Sequence, residues 1–134
     1  MLKKMHMILA MMFLLLCISK LYAEEQFGIP VYMGAKYEQS ASDFLQVNVN
    51  AFCYQTDDSM VKVIDFYKSQ PELALINENE TGAFFRRCKS EEYNTLMEMT
   101  VYKDCDLDLT IQNPWMDMNT NKIYSDNLIC FVQR

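Results

Sequence analysis

Of five cysteines, the four that follow Cys17, namely Cys53, Cys88, Cys105 and Cys130, are spaced so that no two of them form a C-x-x-C pair. That spacing limits what the chain can fold into. An all-cysteine zinc site uses two tight pairs and a thioredoxin-like site uses C-x-x-C ahead of a helix, so neither pattern is available. An even number of cysteines in an exported chain reads as a disulfide framework, and four cysteines allow three connectivities. Bracketing predicts Cys88–Cys105 around a local excursion, and strand placement predicts Cys53–Cys130 between strands.

Export is itself read from the sequence. Lys3 and Lys4 precede an apolar run from Met7 to Ile18, and a short polar stretch then ends in Leu21-Tyr22-Ala23. A run of this length falls short of the ~18–20 residues that span a bilayer as a helix, which predicts a secretory signal peptide over 1–23 and a single mature domain over 24–134 with no transmembrane segment. The rival reading makes Cys17 a lipidated N-terminus. Leu16 opposes it, standing where bacterial lipoproteins have Gly, Ala or Ser. The expected location is periplasmic or secreted.

Of the 12 basic residues, Lys3, Lys4 and Lys20 lie in the leader, leaving 9 against 18 acids and a net charge of −9 on the mature domain. Phosphate backbones are bound by clustered Lys and Arg, so nucleic acid is not an expected partner. The single histidine, His6, also lies in the leader. Ser-His-Asp and Cys-His catalysis and imidazole-bound zinc are thereby removed from the mature chain. No Gly-rich phosphate loop is found, and no cofactor, metal ligand or catalytic residue is assigned.

Periodicity then places the elements. In "FLQVNVNAFCYQ", Val47, Val49, Ala51 and Cys53 alternate with polar residues as in a half-buried strand. "TDDSMVKVIDFYKSQP" predicts a helix: Thr56 or Asp57 serves as cap, Met60, Val63, Ile64 and Tyr67 recur at helical spacing, and Pro71 forbids continuation. "ELALI" and "GAFFRRC" flank "NENETG", a hairpin loop in which Asn79-Glu80-Thr81 also matches a glycosylation sequon. Between Cys88 and Cys105, Ser90 can cap a second helix in which Tyr93, Leu96, Met97, Thr100 and Val101 share a face. "CDLDLTIQ" alternates as a strand that stops at Asn113-Pro114, and "NLICFV", apolar on both faces, is a central strand. The expected architecture is α+β: an antiparallel sheet of about five strands with two helices packed on one face, stapled by disulfides.

Two motifs carry residue types with chemical potential. Asp104, Asp106 and Asp108 begin like a calcium loop, but Leu109 and Trp115 occupy the positions that require Gly and Glu, so alternation on a solvent face accounts for them. "NPWMDMN" puts Trp115, the only tryptophan, beside Met116 and Met118, and "GIPVYMGAKYE" carries Tyr32. Aromatic and Met-rich loops form adaptable binding surfaces, so Trp115, Met116, Met118 and Tyr32 are the candidate partner-contacting residues. The competing reading folds Trp115 over the sheet edge and uses Tyr32 to anchor an N-terminal arm.

"IPVYMGAKYE", "YQTDDSMVKVIDFYKSQP" and "TIQNPWMDMNTNK" resemble an uncharacterised group of exported bacterial domains with a P-x-Y-P-G-A-K-like opening and a T-x-D-S-x-x-x-V-x-x-F-Y helix. Met33 stands where that pattern has proline, and Arg86–Asp106 reads as an insertion. The resemblance covers most of 29–70 and part of 105–133. It implies bacterial export and a small α+β domain, and it supplies no activity or catalytic residues. The sequence therefore points to a non-enzymatic binding or accessory module of the cell envelope, its partner another envelope protein. A small hydrolase using surface carboxylates, or an enzyme inhibitor, is the alternative. Oligomeric state is not set by the sequence.

Overall fold

A computed structural model describes residues 24–134; the expected signal peptide, with His6 and Cys17, lies outside the described residues. The chain opens with a small hairpin, β1 (Glu25–Gln26) and β2 (Ile29–Pro30), followed by β3 (Lys36–Tyr37), α1 (Gln39–Gln46), β4 (Asn50–Thr56) and α2 (Met60–Lys68). Two long strands dominate the second half. β5 (Ala74–Asn79) turns into β6 (Gly82–Asn94), which turns into β7 (Met99–Gln112); the short ribbon β8 (Trp115–Asp117) and β9 (Lys122–Tyr124) leads to β10 (Asn127–Gln133). Six strands form one antiparallel sheet in the order β3-β4-β10-β7-β6-β5, one strand more than expected, with β10 central as its doubly apolar sequence requires.

Strand alternation sorts the core into two clusters. Along β10, Ile129 and Phe131 point to one face and Leu128 and Cys130 to the other. On the first face, Tyr54, Phe85, Leu107, Leu109 and Ile111 pack with Ile129 and Phe131 beneath Val63, Ile64 and Tyr67 of α2. On the second, Cys53, Leu128, Cys130 and Trp115 pack against Ala41 and Leu45 of α1. The helices therefore lie on opposite faces, not on one. The physical reason is β10 itself: a strand apolar on both faces leaves surface in water unless both are covered.

α2 forms as periodicity predicts, but its cap is Ser59, whose hydroxyl accepts from the Lys62 N–H at 3.3 Å; Thr56 still belongs to β4. α1 overturns the reading of Phe44–Gln55 as one strand. Glu38 caps it by accepting from the Ala41 N–H at 2.6 Å, and Ala41, Phe44 and Leu45 share one side at i, i+3, i+4. Val47 and Val49 fall in the link to β4 and are exposed. α1 also closes the edge of β4. The Cys53 N–H donates to the buried Ser42 hydroxyl at 2.8 Å, that hydroxyl donates to the Glu38 carbonyl at 2.7 Å, and Gln46 donates to the Ala51 carbonyl at 2.6 Å. These side chains satisfy backbone groups that would otherwise form an open sheet edge.

The second expected helix does not exist. Residues 90–101 lie in a β-ribbon, with Ser90 opposite Lys103, Glu92 opposite Val101 and Asn94 opposite Met99. Both disulfides have the predicted connectivity, and their setting explains the difference. Cys88 and Cys105 are cross-strand partners with Cα atoms 3.9 Å apart, as Cys53 and Cys130 are at 4.1 Å. A helix over 90–101 would run ~18 Å and need the chain to double back to bring its flanking cysteines together, whereas a hairpin brings them opposite directly. β5 pairs with β6 only as far as Arg86, and β10 pairs with β7 only from Leu107 onward, so beyond Cys88 and Cys105 the ribbon leaves the sheet as an arm.

Candidate functional site

On the second face the eight residues of α1 cover only part of the sheet. The uncovered part is an open groove of about 490 Å³. Leu128, Cys130 and Val132 of β10 and Thr110 and Gln112 of β7 form its floor; Ala41, Phe44 and Leu45 of α1 form one wall; Pro114, Trp115, Met116 and Met118 form the other. Among the described residues no buried side-chain nitrogen or oxygen lacks a hydrogen-bond partner.

Trp115 is the base of its wall. It is 3% exposed, stacks on Tyr124 with ring centroids 4.5 Å apart and planes 12° off parallel, and donates from Nε1 to Asp126 at 2.8 Å. Met116 and Met118 are about half exposed along the rim. Between them Asp117 points inward and ties the two walls together. Its Oδ1 accepts from the Asn119 N–H and from the Ser40 hydroxyl of α1, each at 2.9 Å, and Asn119 donates to the Ser40 carbonyl at 3.0 Å. The Asn119 backbone bond, with further hydrogen bonds from Ser40 and Thr120, holds the Asp117 carboxyl below the usual carboxylate range. The groove is therefore preformed, its walls clasped at one end and the Cys53–Cys130 bridge set into its floor.

Three of the four expected contact residues thus line one groove. Tyr32 does not join them. It lies on the first face, its ring edge-on to Phe66 at 5.3 Å, its N–H bonded to the Tyr67 hydroxyl at 3.0 Å and its own hydroxyl donating to Asp58 at 2.6 Å. That last bond raises the Tyr32 pKa and lowers that of Asp58, so Tyr32 anchors the N-terminal arm to α2. Trp115 is a packed residue and not an exposed one, because period-2 alternation in β8 turns Trp115 and Asp117 inward when it turns Met116 and Met118 outward. Phe44, Leu45, Leu128 and Val132 were not assigned to the site from sequence; the helical spacing of Ala41, Phe44 and Leu45 was the available signal.

The three aspartates do not converge, and they do not share a solvent face. Asp108 pairs with Arg86 at 2.7 Å and lies 3.8 Å from Arg134. A register shift beside Asp106 lets it reach Arg87 at 2.7 and 2.8 Å, a pairing that lowers the Asp106 pKa. Asp104 has a φ of 52°. Among the described residues no group of three or more His, Cys, Asp or Glu is arranged to hold a metal ion, and no helix is long and apolar enough to cross a membrane. No family model, curated protein or solved structure matches the chain.

Proposed function

We propose that the protein is an exported binding module of the cell envelope that seats apolar side chains of a protein partner in the groove between α1 and β8. The observation that carries this reading is the groove: an apolar cleft of about 490 Å³, within the ~300–1,000 Å³ of ordinary ligand sites, with a rigid disulfide-backed floor and adaptable methionines on its rim. Two disulfides fit an oxidising compartment, where such a module would work. The displaced carboxyls, Asp58, Asp106 and Asp117, are all displaced downward by hydrogen bonds or an arginine. Carboxylates held ionised in this way suit structural acceptors better than the raised general acid of a hydrolase, and that favours binding over the enzymatic alternative.

The test uses 1-anilinonaphthalene-8-sulfonate as an apolar probe. The folded protein should bind it saturably at one site per chain, and the Met116→Glu/Met118→Glu variant should bind it at least tenfold more weakly with an unchanged melting temperature. Equal binding by the two proteins, or no saturable binding by the first at submicromolar protein, overturns the reading.

A further inference from the structure

The arm beyond the Cys88–Cys105 bridge carries Leu96, the most exposed large apolar side chain of the described residues. At its tip Leu96 is 96% exposed, and Tyr93, Met97 and Met99, close to it along the ribbon, are each about half exposed or more. Among the described residues nothing else covers this tip, since the arm leaves the sheet at the bridge and the ribbon of about six residue pairs carries the tip some 20 Å away. The arm tip is thus a convex apolar knob, and the site between α1 and β8 is a concave apolar groove. They cannot meet within one chain: the groove floor is at Thr110 and Gln112, the far end of β7 from the tip.

Resting on the reading of the groove as a binding site, we propose that its occupant is the arm of a second copy of this chain, in a two-fold pair where each arm tip fills the other's groove. Two copies laid antiparallel along β7 bring both tips to both grooves at once. Each arm then crosses the second face of its partner between bridge and groove. The side chains there are Arg86 and Arg134, which share the single carboxylate of Asp108, and so carry a net positive charge. The arm from Lys89 to Asp104 holds Glu91, Glu92, Glu98 and Asp104 against Lys89 and Lys103, a net charge of −2. The crossing is complementary in sign.

Area decides between a closed pair and an open chain of copies. A fully exposed aliphatic side chain carries on the order of 100 Å² of apolar surface, so the tip and the rim it meets bury ~500 Å² per contact. One contact is half of the ~1,000 Å² that a specific interface needs, whereas two reciprocal contacts reach it. Closed two-fold pairing is the arrangement that uses both. An interface at this threshold should dissociate in the micromolar range.

Sedimentation velocity on the oxidised protein from ~1 to ~100 µM tests the pairing, an interval that brackets micromolar dissociation constants. A monomer–dimer equilibrium is expected, weakened at least tenfold by Leu96→Asp and separately by Met116→Glu. The Leu96 side chain is 96% exposed, so its variant should melt with the parent at concentrations where both are monomeric, and it should still bind 1-anilinonaphthalene-8-sulfonate in the vacated groove. A dimer undisturbed by Leu96→Asp overturns the pairing. A protein monomeric throughout that nevertheless binds the dye at the groove overturns the pairing and leaves the binding site standing; one that is monomeric and fails to bind the dye overturns both.

Discussion

Replacing Trp115 with alanine removes the side chain on which one wall of the groove is built, and its expected effect can be worked from the packing. A buried tryptophan withdraws ~150–250 Å² from water, which at ~25 cal/mol per Å² corresponds to ~4–6 kcal/mol as an upper bound. Stacking on Tyr124 is part of what is lost. The Nε1 bond to Asp126 adds little, because that carboxylate is only half buried and regains water once the indole is gone. The cavity left behind opens into the groove, and Met116 and Met118 have the freedom to collapse into it. That relief places the loss at the low end of the range for Trp→Ala, about 3 kcal/mol. Trp115→Phe keeps most of the ring contact and should lose ~1–2 kcal/mol. Urea unfolding followed by far-ultraviolet circular dichroism measures both, since the variants lack the chain's only tryptophan. A loss below ~1 kcal/mol for the alanine variant, at unchanged slope, would refute the placement of Trp115 as a structural wall.

The two disulfides should differ in worth: in the chain-entropy model a separation of 77 gives ~4.5 kcal/mol for Cys53–Cys130 and a separation of 17 gives ~3 kcal/mol for Cys88–Cys105. Paired Cys→Ala variants compared by urea midpoint test this, and equal losses would contradict it; hydrogen exchange in the second variant should rise across the arm and not across the sheet. For Asp117 the folded pKa lies below the ordinary value of ~3.9, so its stabilisation is present above that pH and is lost as pH falls through the folded value. The stability gap between the parent and Asp117→Ala should accordingly be full at neutral pH and shrink in acid, and a gap independent of pH would show that the carboxylate charge does not contribute. At Gly82 an added Cβ would lie 1.9 Å from the Ile111 carbonyl oxygen, a backbone atom that cannot move aside. Gly82→Ala should therefore cost at least ~1–3 kcal/mol by thermal melt, and an unchanged melting temperature would mean that the β6–β7 register at Gln112 is not as described.

The sequence carried the sheet better than the arm, for a physical reason. In β7 the alternation of Leu107, Leu109 and Ile111 is enforced by burial on one face, and α2 is legible because Val63, Ile64 and Tyr67 must reach that same core. In the arm neither face is buried, so no packing constraint writes a period into the sequence. The helical spacing of Tyr93, Leu96, Met97, Thr100 and Val101 has no core behind it. The cysteines were the better guide. Their midpoint falls between Leu96 and Met97, and positions equidistant from it, Ser90 with Lys103 and Asn94 with Met99, are the observed partners. A bridge at cross-strand positions fixes both the register and the tip of a hairpin, information that periodicity over exposed residues cannot supply.

The groove follows from a mismatch that is visible in the sequence once both elements are known. β10 is apolar on both faces from Leu128 to Val132, five residues or ~17 Å, so the second face needs a cover of about that length. The segment available to cover it is α1, and eight residues make a helix only ~12 Å long. Val47, Asn48 and Val49 do not extend it, because the chain has to turn there in time to place Ala51 and Cys53 in β4 opposite Val132 and Cys130. Part of the floor beside Phe44 and Leu45 is therefore left open along Leu128, Cys130 and Val132. The β8–β9 ribbon closes one flank with Trp115, while Met116 and Met118 stay outside because alternation gives them no other place. The cleft is thus the space between a short helix and a sheet that is apolar on both sides, and lengthening α1 by one turn would fill it.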